Sequence, residues 1–283
     1  VPANAGAALE AARARLAFTS KNPRRDAGLL LAHVLGCDQT QLMTHPERLL
    51  SVEELEQFDR LVERRLASEP MQYLVGEQEF FGLRFAVSPA VLIPRPETEH
   101  LVEAVLERFA REEEVRIVDV GTGSGAIAVA LAHAIPRSRV TAVDLFPAAL
   151  EVARRNAQRH GVIDRLMLLT SDLLAAVDRT DFDAVVANPP YIATAEVLEP
   201  QVANYEPHSA LYAGPTGLEV YERLIPQAVR VLKPGGWLFL EIGYGQSPAL
   251  KNLMHGWGSV TLVNDLQGIP RVALGQKQSA TLK

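Results

Sequence analysis

The stretch VRIVDVGTGSGAIAVALA, residues 115–132, decides how the chain is read. VRIVDV is a short, almost wholly apolar run, the pattern of a strand buried on both faces of a parallel sheet. AIAVALA is small and apolar without a break and reads as a buried helix. Between them stand Gly121, Thr122, Gly123, Ser124 and Gly125. Glycines permit positive φ and let a ligand approach the backbone. The helix N-terminus that follows offers free N–H groups. Strand, glycine loop and helix together open a doubly wound nucleotide-type fold. A tight turn of small residues gives the same letters, so this loop alone leaves the ligand class open.

Working outward, the alternation continues. RVTAVDL (139–145), RLMLLTSD (165–172) and DFDAVVANPPY (181–191) read as strands, with PAALEVARRNAQRHG (147–161) as a helix closed by Gly161. Residues 192–216 read as irregular. GLEVYERLIPQAVRVL (217–232) is a helix, and KPGGWLFLEIG (233–243) is a turn and a fifth strand. GSVTLVNDLQGIPRVALGQ (258–276) supplies two more strands with no helix between them, hence an antiparallel pair at one end. Alternating β and α over residues 94–283 predicts an α/β domain with a doubly wound, seven-stranded, Rossmann-like sheet. Its first helix starts at PRPETEHLVEAVLERF, with Pro96 in the first turn.

Upstream the character changes. Residues 1–75 read as a small helical bundle. Leu29, Leu30, Val34 and Leu35 recur at helical spacing, as do Leu55, Phe58, Leu61, Val62 and Leu66. Ser51 with Glu54 three residues on predicts a capping box. In residues 76–93, Phe81, Leu83, Phe85 and Val87 alternate around Gly82, which predicts a β-hairpin linking the two domains.

Composition narrows the function. The chain has 283 residues, 48% of them hydrophobic, and a formal net charge of −6. That balance weighs against direct nucleic-acid binding, where a basic surface is usual. Cys37 is the only cysteine, which excludes an internal disulfide and all-cysteine zinc sites. The seven histidines stand in no metal-ligand spacing, so no metal is expected. No apolar run suits a membrane span, and the N-terminus lacks the pattern of a signal peptide. The expectation is a cytoplasmic protein.

Three acids follow the first three strands of the sheet. Asp119 stands two residues before the first glycine, placed to orient the loop or hold a cationic ligand. Asp144 ends the second strand, where an acid accepts hydrogen bonds from a ribose diol. Asp172, followed by Leu173, is placed to reach an adenine amino group. A dinucleotide enzyme would share much of this pattern. Acids after all three strands fit S-adenosylmethionine, which carries an ammonium, a ribose and an adenine but no phosphate.

After the fourth strand comes Asn188-Pro189-Pro190-Tyr191. Asn offers an acceptor and a donor. Proline donates no N–H, so the backbone there presents carbonyls. Tyr191 supplies a flat ring. Together they form a clamp for a planar group bearing NH₂, with the Asn188 oxygen and the Pro189 carbonyl each accepting one hydrogen.

This motif resembles that of amino-methyltransferases, and the whole chain resembles one family among them, the peptide chain release factor N5-glutamine methyltransferases (PrmC or HemK). The resemblance runs through PRRDAGLLLAHVLG, EPMQYLVGEQEFFGLRF, VLIPRPETEHLVE, VDVGTGSGAIAVALA, NPPYI, EPHSAL and RVALG. It implies a class I methyltransferase domain behind an N-terminal bundle that recognises substrate. It implies S-adenosylmethionine as cofactor and class 1 release factors, methylated on the Gln of Gly-Gly-Gln, as protein partners. Cofactor contacts would fall to Asp119, Gly121 to Gly125, Asp144, Asp172, Leu173 and Asn188. Asn188, Pro189, Pro190 and Tyr191 would hold the substrate Gln, with Asn188, Pro189 and Tyr191 catalytic. Leu173 stands where some relatives carry an aromatic. For Glu206, in YEPHSAL, both a place in the substrate channel and a structural salt bridge fit.

Overall fold

A computed structural model describes residues 4–110 and 114–278. Helix α1 (Ala5–Leu16) begins where the Asn4 side chain accepts from the Ala7 N–H. Helix α2 (Pro23–Leu35) is capped by Asn22, with proline in its first turn, and stops at Gly36. A short α3 (Gln39–Thr44), a long α4 (Val52–Leu66) and a one-turn α5 (Met71–Val75) follow. The predicted capping box is formed. Glu54 N–H donates to the Ser51 hydroxyl at 3.1 Å, and Ser51 N–H donates to the Glu54 carboxylate at 2.8 Å. Such a cap stabilises a helix by about 1 kcal/mol. Leu30, Phe58, Leu61 and Val62 lie in one apolar core with Ala5, Ala8 and Leu16.

Strands β1 (Glu77–Phe80) and β2 (Leu83–Ala86) form the expected hairpin. A 3₁₀ turn over Pro96–Thr98 leads into α6 (Glu99–Phe109). Then β3 (Val115–Val120), α7 (Ala126–Ala134), β4 (Ser138–Asp144), α8 (Pro147–Arg159), β5 (Leu166–Thr170) and β6 (Phe182–Ala187) alternate as read. The stretch read as irregular carries some order. Strand β7 (Ile192–Ala193) precedes the one-turn α9 (Pro200–Ala203) and pairs in parallel with β8 (Tyr212–Gly214). The chain continues through α10 (Glu219–Val231), β9 (Leu232–Glu241), α11 (Ser247–Leu253), β10 (Gly258–Asn264) and β11 (Pro270–Gln276).

The large sheet has seven strands in the order β10-β11-β9-β6-β3-β4-β5. Strands β5, β4, β3, β6 and β9 are parallel, and β11 runs antiparallel to both β9 and β10. Alternate residues of each strand feed two cores. Ile117, Ala184 and Val186 pack with Leu101, Val105 and Leu131 on one face. Val118, Val185 and Ala187 pack with Tyr221, Leu224 and Leu250 on the other. Strand β3 is the switch point, with β4 on one side and β6 on the other, so the loops after β3 and β6 diverge. The crevice at such a point is where open α/β sheets bind ligands.

By internal contacts the chain forms two compact units. One comprises residues 1–77 with 198–205, and the other residues 78–197 with 206–283. Within the first, the Tyr205 hydroxyl donates to the Ala67 carbonyl at 2.7 Å. No helix among the described residues is long and apolar enough to cross a membrane.

Candidate active site

The loop after β3 turns because Gly121, Gly123 and Gly125 all take positive φ, of 72°, 54° and 78°. A Cβ at Gly121 would meet nothing within 4 Å, and one at Gly123 would meet only the Gly121 carbonyl oxygen at 4.0 Å. Side chains here would fill a cradle that the glycines leave open.

Two acids fix the shape of that cradle. Asp119 is fully buried. Its Oδ2 accepts from the Thr122 hydroxyl at 2.6 Å and from the Ala128 N–H at 3.2 Å, while Oδ1 has no partner. Burial pushes this carboxyl up to about 7. Of its two sequence readings, orienting the loop is what these bonds do. Asp144, at the end of β4, accepts from the Gly123 N–H at 2.9 Å and from the Phe146 N–H at 3.0 Å. Burial raises its pKa as well.

Behind the loop, the fully buried Asn156 of α8 donates from Nδ2 to the carbonyls of Ser124 (2.8 Å) and Ala86 (3.0 Å). Its Oδ1 accepts from the Ala86 N–H at 2.7 Å. This one side chain ties the glycine loop to β2.

One cavity brings together Gly121, Gly123, Asp144, Asp172, Leu173, Asn188 and Pro190. Leu145, Phe146 and Arg223 share its wall. Asp119, Thr122, Ser124, Gly125, Pro189 and Tyr191 do not line it. Asp172 is half exposed and ion-paired with Arg223 at 2.6 Å. Leu173 holds a left-handed φ of 52°, uncommon for a residue with a side chain.

Asn188, just past the end of β6, points its Nδ2 at the Thr98 hydroxyl, 3.0 Å away. Thr98 ends the 3₁₀ turn in PRPETE and is buried. Glu241, the last residue of β9, lies close by. Glu241 is buried, and burial raises its carboxyl to about 7 against the lowering effect of Thr98. Glu241 Oε2 has no partner, and Oε1 faces the Tyr191 hydroxyl at 3.4 Å. Burial first, then the Glu241 charge, raises the Tyr191 phenol above its ordinary value.

Gln246 seats the Asn-Pro-Pro-Tyr segment from the other side. Its Nε2 donates to the Tyr191 carbonyl at 2.9 Å, and its Oε1 accepts from the Gly243 N–H at 2.9 Å. A Cβ at Gly243 would lie 2.9 Å from the Tyr191 ring, so only glycine admits the tyrosine there.

Glu206 is a structural clasp. Its buried carboxylate pairs with Arg95 at 2.5 Å and accepts from the Ile93 N–H at 3.1 Å, anchoring the chain just before Thr98.

The sequence reading missed Thr98, Asn156, Arg223, Glu241 and Gln246. Glu241 carried a signal, as a single acid in the apolar strand WLFLEIG. The others are polar residues that only the fold brings near the motif. Among the described residues no cluster of three or more His, Cys, Asp or Glu could hold a metal.

A glycine cradle and an Asn-Pro-Pro-Tyr segment meeting at the switch point of this seven-stranded sheet define a class I, S-adenosylmethionine-dependent methyltransferase. Solved structures agree on the fold. The hMettl16 catalytic domain superposes with a TM-score of 0.57 at 18% identity, covering 71% of this chain and 78% of that one. A methyltransferase from Pyrococcus furiosus gives 0.51 at 23%, covering 70% and 91%.

The family model described as methyltransferase small domain matches residues 97–204, and that described as PrmC N-terminal domain matches residues 7–76. The release factor glutamine methyltransferase of Koribacter versatilis is 46% identical over 93% of this chain and 95% of its own length. That of Moorella thermoacetica is 46% identical over 88% and 89%. The chain belongs to the release factor glutamine methyltransferase family.

Proposed function

We propose that this protein transfers a methyl group from S-adenosylmethionine to the side-chain amide nitrogen, N5, of the Gln in the Gly-Gly-Gln loop of class 1 peptide chain release factors. The observation that carries the reading is similarity along nearly the full length, through both the helical and the sheet regions, to proteins named for that activity. The placement of Asn188 and Pro190 in the wall of the glycine-loop cavity supports it.

The residues present fit the cofactor. Asp119, fully buried behind the loop, shapes the backbone that would receive the ammonium group through its bonds to Thr122 and Ala128. The open faces of Gly121 and Gly123 accept a ligand against the backbone. Asp144 keeps lone pairs for a ribose diol beside the two backbone donors it already holds. Asp172 and Leu173 wall the region assigned to adenine.

When bound, the cofactor supplies an electrophilic methyl on a sulfonium, which needs no acid catalyst. The acceptor is an amide nitrogen whose lone pair is delocalised into its carbonyl. The chain's task is therefore to position it. Holding reacting atoms in line at near-contact can remove roughly 7–11 kcal/mol of barrier in the best cases. The Asn188 oxygen and the Pro189 carbonyl accept the two amide hydrogens and stabilise the positive charge that grows on nitrogen. With the acceptor held by Asn188 and Pro189, the nitrogen would take the methyl that the cofactor supplies and release its extra proton to water.

Free glutamine offers the same amide, so selection of a protein must come from contacts remote from the methyl. We assign that role to the helical region, residues 1–75. Release factors act in translation, which places the reaction in the cytoplasm. Incubation with labelled cofactor, a release factor and total RNA tests the reading. Label in the release factor is expected, and label in RNA alone would overturn it.

A further inference from the structure

The clamp requires one orientation of the Asn188 amide, since the oxygen must face the methyl acceptor. An Asn side chain has nearly the same shape when flipped, so something must hold it. Among the described residues, the one hydrogen bond of this side chain is Nδ2 to Thr98 Oγ1, at 3.0 Å. Thr98 is 4% exposed, so water does not compete there. A hydroxyl has one proton and two lone pairs. One of those lone pairs accepts from Asn188 Nδ2, which turns Oδ1 of the amide away from Thr98.

We propose that the buried Thr98 is a positioning residue that fixes the Asn188 amide with its oxygen toward the methyl acceptor. The inference rests on the reading of Asn188 as an acceptor for the substrate NH₂. Thr98 lies far from Asn188 in sequence, in the turn before α6. The Arg95–Glu206 clasp and the Ile93 N–H bond to Glu206 hold the chain that leads into that turn. The PRPETE segment therefore acts on the chemistry through Asn188 without touching the reacting atoms.

Thr98→Val keeps the shape and removes the hydroxyl. It should lower kcat on a release factor by about tenfold, the size of one lost buried hydrogen bond. Cofactor affinity and substrate KM should stay near wild type, and Thr98→Ser should restore most of kcat. In an Asn188→Ala background Thr98→Val should cost nothing further, since residues acting as one unit are not additive. Wild-type kcat in a folded Thr98→Val variant would overturn the proposal. So would a full additional loss on top of Asn188→Ala, or a serine variant as slow as the valine one. Failure of the wild-type protein to methylate a release factor would instead overturn the functional reading on which the proposal rests.

Discussion

At the scale of single residues, the candidate site divides into groups that line the cavity and groups that hold them. Asn188 lines it, and its proposed oxygen contact matters most as charge builds on the acceptor. Asn188→Ala should then lower kcat by about a hundredfold or more, as loss of a transition-state hydrogen bond does. Calorimetric affinity for S-adenosylmethionine should fall far less than kcat, and turnover close to wild type would contradict the clamp. Asp144 both faces the cavity and ties down Gly123. Asp144→Ala should weaken cofactor binding by about ten- to a hundredfold, from loss of hydrogen bonds to a charged acceptor. Unchanged affinity would place the ribose contact elsewhere. The glycine loop and Asn-Pro-Pro-Tyr were legible in the sequence because each is local, a few adjacent residues whose types dictate backbone and donors. Thr98, Gln246 and Asn156 were not, because each acts across the fold on a segment remote in sequence, and a lone Thr, Gln or Asn carries no pattern.

At the scale of elements, hydrophobic periodicity identified the strands and long helices. Strand β3 reads as it folds because both its faces are buried, and α4 because its stripe faces one core. The short α3, α5 and α11 lack the length to show a period, and β7 and β8 are too brief to alternate. The end of β9 carries a cost that its sequence hints at. Glu241 is buried with one oxygen unpaired, and burial raises its carboxyl to about 7 from an ordinary 4.5. Glu97 pushes in the same direction, while Thr98, Tyr191 and Arg271 oppose it. A carboxyl whose folded pKa is raised contributes stability that is fully present below its unfolded pKa and is lost as pH rises through the folded value. Between about pH 4.5 and about pH 7.5 the wild-type melting temperature should therefore fall relative to that of Glu241→Gln, which cannot ionise. A difference between the two proteins that stays constant across that range would show that Glu241 titrates at its ordinary value.

At the scale of the whole molecule, the helical region and residues 198–205 share one compact unit. Excising residues 1–75 would leave Tyr205 without its Ala67 partner, so surface substitutions in the full chain make the cleaner test. A groove on this unit is lined by Leu9, Leu42, Met43, Arg24 and Arg25, and Met43 is 71% exposed. Reversing both charges, Arg24→Glu with Arg25→Glu, should lower kcat/KM on a release factor by about tenfold, a loss of about 1.4 kcal/mol. Activity on a short Gly-Gly-Gln peptide should be low and unchanged, and equal losses on both substrates would count against a recognition role. The most direct test of the central claim is to map the methyl group. A class 1 release factor incubated with this protein and S-adenosylmethionine should gain the mass of one methyl, located by peptide fragmentation on the Gln of Gly-Gly-Gln. A methyl on any other residue, or undiminished labelling of a release factor whose motif Gln is replaced, would contradict it.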